Sequence, residues 1–277
     1  MLPTLDDVGR ALSAEEEREL ASACLLSRSR SLYPAVMLAL NTGMRYSEIR
    51  LLQWKQVDFS GKILTVGKSK TTTGSGRAVP LNARILNVLE MWAGKFPNRQ
   101  STHYVFPFEK CGAKGELDSF GFTAGVVYYD TNPTRPIGDW KEAWEKAKKR
   151  AGVILRGETE DLQFVQPSGR HNKNAAERKE KSPERNEAEK EESLKCRFHD
   201  LRHSAVTRLL EGGIPYPVVA SMMGWSAATA IRMAKRYGHI GNQALRDAAD
   251  VLGGLKVPAG SLKKSPKSQE VENVAVQ

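Results

Sequence analysis

The stretch "RFHDLRHSAVTRLL", residues Arg197 to Leu210, reads as a helix and, as one, has to place His199, Arg202 and His203 on a single face. They stand at i, i+3 and i+4, beside an apolar stripe of Leu201, Ala205 and Leu209. Core packing on the stripe then holds three groups able to carry positive charge within one turn. Their repulsion weakens that turn unless a negative charge meets it in the working state, and phosphate matches the donors. A solvated face with incidental histidines is the plainer reading of this stretch taken by itself.

The whole chain leans the same way. A net charge of +10 over 277 residues favours a polyanionic partner, because clustered Lys and Arg release counterions on meeting phosphates. With 40% apolar residues the chain can fill the core of one large domain or two small ones. Cys24, Cys111 and Cys196 are far apart and form no CxxC pair, so neither a disulfide framework nor a zinc site is expected. No apolar run reaches the ~20 residues of a spanning helix, and "LPTLDDVGR" is no signal peptide. These readings predict a cytoplasmic protein in a reducing compartment, without a membrane partner.

Local signals punctuate the chain. Ser13 and Glu16 form a capping box ahead of Leu20, Cys24 and Leu25 on one face. A second helix, Tyr33 to Leu40, stops at "NTGMR", where Gly43 supplies a turn, and "SEIRLLQW" restarts with Ser47 as N-cap, leaving Arg45 just before a helix N-terminus. "KILTV" and "RAVPL" read as strands joined by the loop "GKSKTTTGSG", a long, mobile hairpin. In "DWKEAWEKAKKRAG", Trp140, Ala143, Trp144 and Ala147 make a core face, with Gly152 as the stop. From Arg170 to Lys195 the sequence holds eight Lys/Arg and seven Asp/Glu with almost nothing to bury, which reads as a linker or insertion, disordered or a frayed solvated helix. "NQALRDAADVL" predicts a helix with Leu245, Ala248, Ala249 and Leu252 on one face, and a flexible tail follows from Pro258.

"LALNTGMRYSEIRLLQW" resembles the first conserved box of the tyrosine recombinases, the phage integrase family, and "HDLRHSAVTRLLEGG" resembles the second. "VVASMMGWS" and "AKRYGHI" are similar to the segments carrying the family's last two active-site positions. The four stand in the family's order, over about Leu12 to Leu252. The resemblance implies an α+β, mostly α fold, the DNA breaking-rejoining (integrase-like) catalytic fold with a small antiparallel β-sheet. The expected organisation is an N-terminal remnant at 1–11, a catalytic domain at 12–257 interrupted by the charged insertion 170–195, and a tail at 258–277.

Carried over residue by residue, the resemblance makes Arg45 and Arg202 the arginines that grip the scissile phosphate, with planar forks that stay charged at any working pH. His199 contacts the phosphate or relays a proton, Trp225 donates its indole N–H to a phosphate oxygen, and Tyr237 is the nucleophile. Glu48 and His203 support them. The hairpin lysine that protonates the leaving oxygen is assigned to Lys70, with Lys68 as runner-up. By themselves Trp225 reads as core, Tyr237 as a half-buried tyrosine and Lys70 as an ordinary loop lysine. A phenol is a poor nucleophile at neutral pH until nearby cations favour its phenolate, and this set supplies them. The expected activity is site-specific recombination or integration through a 3′-phosphotyrosine intermediate, with no metal and no cofactor. Expected partners are double-stranded DNA, further copies of the chain in a tetramer on DNA, and accessory DNA-bending proteins.

Two features depart from the family pattern. The separation in "WSAATAIRMAKRY", from Trp225 to Tyr237, is longer by about one helical turn. Little chain precedes the second helix, where relatives carry an N-terminal helical domain that clamps the DNA. The second keeps a catalytically idle DNA-binding remnant open as a rival; a type IB topoisomerase-like activity is the other, for its similar chemistry, though the compact "HDLRH" box and the short chain favour a recombinase.

Overall fold

A computed structural model describes residues 9–114, 126–156, 193–237 and 252–253. The chain forms two compact units, Met1–Ala230 and Ile231–Gln277. The first unit is built around α2 (Leu32–Thr42), whose residues Leu32 to Leu40 are buried except Tyr33. A helix apolar on every side needs neighbours on every side. It packs against α1 (Ala14–Leu25), α3 (Tyr46–Arg50), α4 (Ala83–Ala93) and the helix of the opening motif, α6 (Asp200–Glu211).

The local signals are met in part. Ser13 caps α1 by accepting from the Glu16 N–H at 3.1 Å, and the Glu16 carboxylate answers to the Ser13 N–H at 2.9 Å. Leu25 departs from the expected core face and is exposed, while Leu20, Ala23 and Cys24 are buried. Gly43 ends α2 in the left-handed conformation, at φ 63°. The N-cap of α3 is Arg45 and not Ser47, because the acceptor for its N–H is the Glu48 carboxylate at 2.9 Å. Gly152 does not stop α5 (Lys141–Leu155): it is a buried interior position of the helix, where a small residue is accommodated by packing.

Beyond the expected hairpin there are two sheets. β1 (Val57–Asp58), β2 (Ile63–Thr65) and β3 (Ala78–Pro80) pair antiparallel in that order, with Leu64 opposite Val79. β4 (Pro107–Lys114) and β5 (Val126–Pro136) form a second antiparallel pair that the sequence reading does not anticipate. Nor does it anticipate α4 or α7 (Tyr216–Met223). Of the charged stretch 170–195 only 193–195 are described, and there Leu194 is buried with its N–H donated to the Lys148 carbonyl at 3.1 Å. The expected helix in "NQALRDAADVL" lies outside the described residues apart from Leu252. Among the described residues no helix is long and apolar enough to cross a membrane.

An aromatic cluster fixes the two arginine-bearing boxes to each other. Tyr46, one residue after Arg45, meets Phe198, one residue before His199, edge to face at 5.1 Å between ring centroids. Trp140 packs edge-on against Tyr46 at 5.5 Å, stacks on Phe198 at 6.1 Å and donates its indole N–H to Ser31 Oγ at 2.8 Å. Such ring pairs contribute about 1 kcal/mol each beyond their buried area. They set the spacing between the first turns of α3 and α6.

Candidate active site

Arg202 is buried, and its guanidinium is held by two backbone carbonyls. Nη1 donates to Gly43 O at 2.5 Å and Nη2 to Met223 O at 2.7 Å. One acceptor is the left-handed cap that ends α2; the other is the last residue of α7. Gly43 needs its glycine because φ is positive; a Cβ there would also meet the end of the Met223 side chain at 2.5 Å, which would have to swing aside.

Arg45 stands two residues beyond Gly43, its side chain 19% exposed. Nη1 donates to Glu48 Oε1 at 2.8 Å and to Ser69 Oγ at 3.1 Å. Glu48 has a fully buried side chain and gathers four groups. Besides the Arg45 N–H and guanidinium it accepts from Ser69 Oγ at 2.5 Å and from both Arg77 terminal nitrogens, at 3.0 and 2.6 Å. Burial alone pushes this carboxyl up. The hydrogen bonds from Arg77, then Ser69 and the Arg45 N–H, overcome it and bring the carboxyl down to about 2. Glu48 therefore stays charged at any working pH.

His199 stands at the N-cap position of α6 without a capping hydrogen bond from its side chain, its ring 5.2 Å from that of His203 and nearly perpendicular to it. His199 is exposed at the surface, yet partial desolvation of its ring first, and then the charges of Arg202, Arg197 and Arg45, hold it below the ordinary histidine range despite Asp200. The tension posed by three cationic groups in one turn is thus relieved: at neutral pH His199 is an uncharged imidazole. His203 is buried, and Gly9 approaches so closely that a Cβ would lie 2.4 Å from His203 Cδ2 and 2.7 Å from Asp200 Oδ1.

Trp225 follows α7 directly after Gly224; it is buried, with Tyr216 at 6.0 Å between centroids. Lys70 and Lys68 are both exposed on the β2–β3 connection. That connection is not a loose hairpin. Thr72–Gly74 forms a 3-10 turn, Ser69 N–H donates to Ser75 Oγ at 2.9 Å, and Ser69 Oγ is tied to Glu48. Gly74 also meets the end of α7: a Cβ on Gly224 would lie 2.8 Å from Gly74 Cα. Tyr237 is the last residue of α8 (Ala227–Tyr237) and belongs to the second compact unit; its side chain lies outside the described residues. Ser69 and Arg77 are parts of this cluster that the sequence reading leaves without a role. Beside the near neighbours Ser75 and Gly74, their bonds to Glu48 and Met222 span 21 to 145 residues, beyond any local pattern.

Gly224 gives a direct check on the docking of the connection. At φ 63° it is already strained for any other residue, and a Cβ would strike backbone that cannot rotate away. Gly224→Ala is expected to lower unfolding free energy by about 3 kcal/mol, read by denaturant titration. A loss under about 1 kcal/mol would mean that the β2–β3 connection does not rest on α7 in solution.

The profile described as "Phage integrase family" matches residues 10–243. The integrase of Salmonella phage P22 is 27% identical over 262 residues, which is 92% of this chain and 51% of that protein. A shufflon-specific DNA recombinase of Escherichia coli is 26% identical over 232 residues, covering 83% of this chain and 40% of that one. The chain therefore spans about half the length, or less, of these curated relatives. Among solved structures, the Tn1549 transposon integrase in complex with a circular intermediate DNA superposes with a TM-score of 0.50 at 16% identity, over 91% of this chain and 68% of that one. Mostly helical, with small antiparallel sheets and the two arginine-bearing boxes packed together, the chain belongs to the phage integrase family, the tyrosine recombinases.

Proposed function

We propose that this chain cleaves and rejoins duplex DNA by site-specific recombination or integration, through a 3′-phosphotyrosine at Tyr237. The observation that carries the reading is the bond from Arg202 to Gly43 O, which sets Arg202 against the turn that carries Arg45 two residues further on, with His199 three residues before Arg202 at the start of the same helix. In this reading the two guanidinium groups grip the scissile phosphate and stabilise the charge that builds on its oxygens. A neutral imidazole is the form able to accept the phenol proton as the Tyr237 oxygen attacks phosphorus. The P–O bond to the 5′ oxygen breaks, Lys70 supplies the proton to that oxygen, and Trp225 donates its indole N–H to a phosphoryl oxygen. Rejoining runs the same steps in reverse with a new 5′ hydroxyl. Further copies of the chain, assembled as a tetramer, bring the second duplex.

Covalent capture tests the reading. The protein is incubated with a randomised pool of nicked duplexes at low salt with a chelator, and denaturant-resistant adducts are recovered and sequenced. The expected product is a nucleotide on the peptide that contains Tyr237. DNA binding without any adduct would identify an idle DNA-binding protein instead.

The connection lysine has its own signature. Lys70→Ala is expected to slow cleavage of ordinary DNA by about 10²-fold or more. On a substrate whose leaving 5′ oxygen is replaced by sulfur, which needs no proton to depart, the loss should shrink to less than about 10-fold. If Lys68→Ala gives this rescue and Lys70→Ala does not, the general acid is Lys68.

A further inference from the structure

Arg77 joins three parts of the site: Glu48 on α3, the β2–β3 connection at Gly74 and the end of α7 at Met222. Its side chain is only 6% exposed and makes four hydrogen bonds to three separate pieces of chain. Nη1 and Nη2 form a bidentate fork on Glu48, at 3.0 and 2.6 Å; Nη1 also donates to Gly74 O at 2.7 Å; and Nε donates to Met222 O at 3.0 Å. Met222 and Met223 offer consecutive carbonyls at the end of α7, the first to Arg77 and the second to Arg202. Glu48, in turn, holds the guanidinium of Arg45.

We propose that Arg77 is a positioning residue that sets both phosphate-gripping arginines, Arg45 through Glu48 and Arg202 through the carbonyl end of α7, an inference that rests on the site proposed above. Only a planar fork can satisfy this arrangement. A carboxylate taken bidentately fixes two directions at once, and the Nε–H, pointing the other way, reaches a carbonyl on another element. A lysine at the same place would supply charge but a single point of attachment. The same geometry ties Lys70 to the site, since Arg77 closes the connection through Gly74 O while Ser69, next to Lys70, bonds Glu48 and Arg45.

The charged groups that face Glu48 are Arg77 and, from its own helix, Arg45, with the Ser69 hydroxyl as third donor. Removing Arg77 leaves burial, which raises the Glu48 carboxyl, opposed by weaker partners. In Arg77→Met the carboxyl therefore moves up from about 2, and Glu48 loses its charge as pH falls through a range where the wild type keeps it. A protonated Glu48 no longer holds Arg45 as an ion pair.

Single-turnover adduct formation is measured on a nicked duplex recovered by the capture above, from mildly acidic to mildly basic pH. The proteins are wild type, Arg77→Met, Arg77→Lys, Arg45→Ala and the Arg45→Ala/Arg77→Met pair. Arg77→Met should be slower by about 100-fold at neutral pH, with the deficit widening as pH falls, and Arg77→Lys should recover part of the rate. In the Arg45→Ala background the same change should cost at most about 10-fold, because one of its two routes is gone. A wild-type rate for Arg77→Met, a deficit constant with pH, or fully additive losses would each overturn the proposal. If Arg77→Met does not fold, Arg77→Lys carries the rate and non-additivity comparisons at neutral pH, where a wild-type rate or fully additive losses overturn the proposal. If the wild type itself forms no adduct, the proposed function fails separately. The cycle is then read as affinity for a low-salt duplex, where additive losses overturn the positioning role and non-additive ones support it.

Discussion

Tyr237→Phe should abolish the covalent adduct while leaving the fold and DNA affinity nearly unchanged. The substitution removes one oxygen and keeps the ring, so packing around it is preserved, whereas the P–O bond to the protein can no longer form. The loss should exceed the effect of any other single substitution, since Arg45, His199 and Arg202 only stabilise a reaction that needs a nucleophile. Tyr237 closes α8, and the twelve-residue step from Trp225 is longer than the family pattern, so the assignment has to be earned by chemistry. The measurement is adduct yield on the selected nicked duplex with chelator present, beside a binding curve at low salt, where phosphate contacts are strongest. A chelator would silence a metal-dependent nuclease and leaves this mechanism untouched. An adduct that survives Tyr237→Phe would move the nucleophile to another side chain.

What the sequence makes legible here is what neighbours in the chain decide. The Ser13 capping box, the Gly43 stop and the Trp140, Trp144 and Ala147 face are short-range signals, and each is present as written. α4 carried an equally good signal that the sequence reading passes over: Asn82 caps the Ile85 N–H at 3.0 Å, and Ile85, Leu89 and Trp92 recur at helical spacing. β4 and β5 are different, because their register breaks between Pro107 and Phe108 and depends on pairing across a long connection. The site divides in the same way. Arg45 and Arg202 lie in motifs that can be recognised locally, but the fork of Arg77 on Glu48 links residues 29 apart and its bond to Met222 links residues 145 apart. The state of His199 is only partly legible: Arg202 and Arg197 stand beside it in the chain, whereas desolvation of its ring and the charge of Arg45 come from packing.

Arg202→Ala should cost both stability and chemistry, and Arg45→Ala should cost chemistry with much less stability. Arg202 is 5% exposed, and its two terminal nitrogens are the donors to Gly43 O and Met223 O. Truncation leaves those carbonyls without this partner in a buried setting, at roughly 1–3 kcal/mol each, and opens a cavity between α2, α6 and α7. A total near 4 kcal/mol is a large share of the about 5–15 kcal/mol that holds a domain together. Arg202→Lys keeps the charge, but one ammonium cannot match a fork spread over two elements, so about half of that loss should remain. Arg45 bonds Glu48, which retains Arg77 and Ser69 when Arg45 is removed, so the expected loss there is about 1 kcal/mol. On the selected duplex both alanine variants should form adduct at least about 10³-fold more slowly, because each removes a charge aimed at the phosphoryl oxygens. Denaturant titration and single-turnover capture on the same preparations separate the two effects. If Arg202→Ala unfolds at the wild-type midpoint, the carbonyl bonds do not hold α2 to α7; if it cleaves at the wild-type rate, the phosphate is gripped elsewhere.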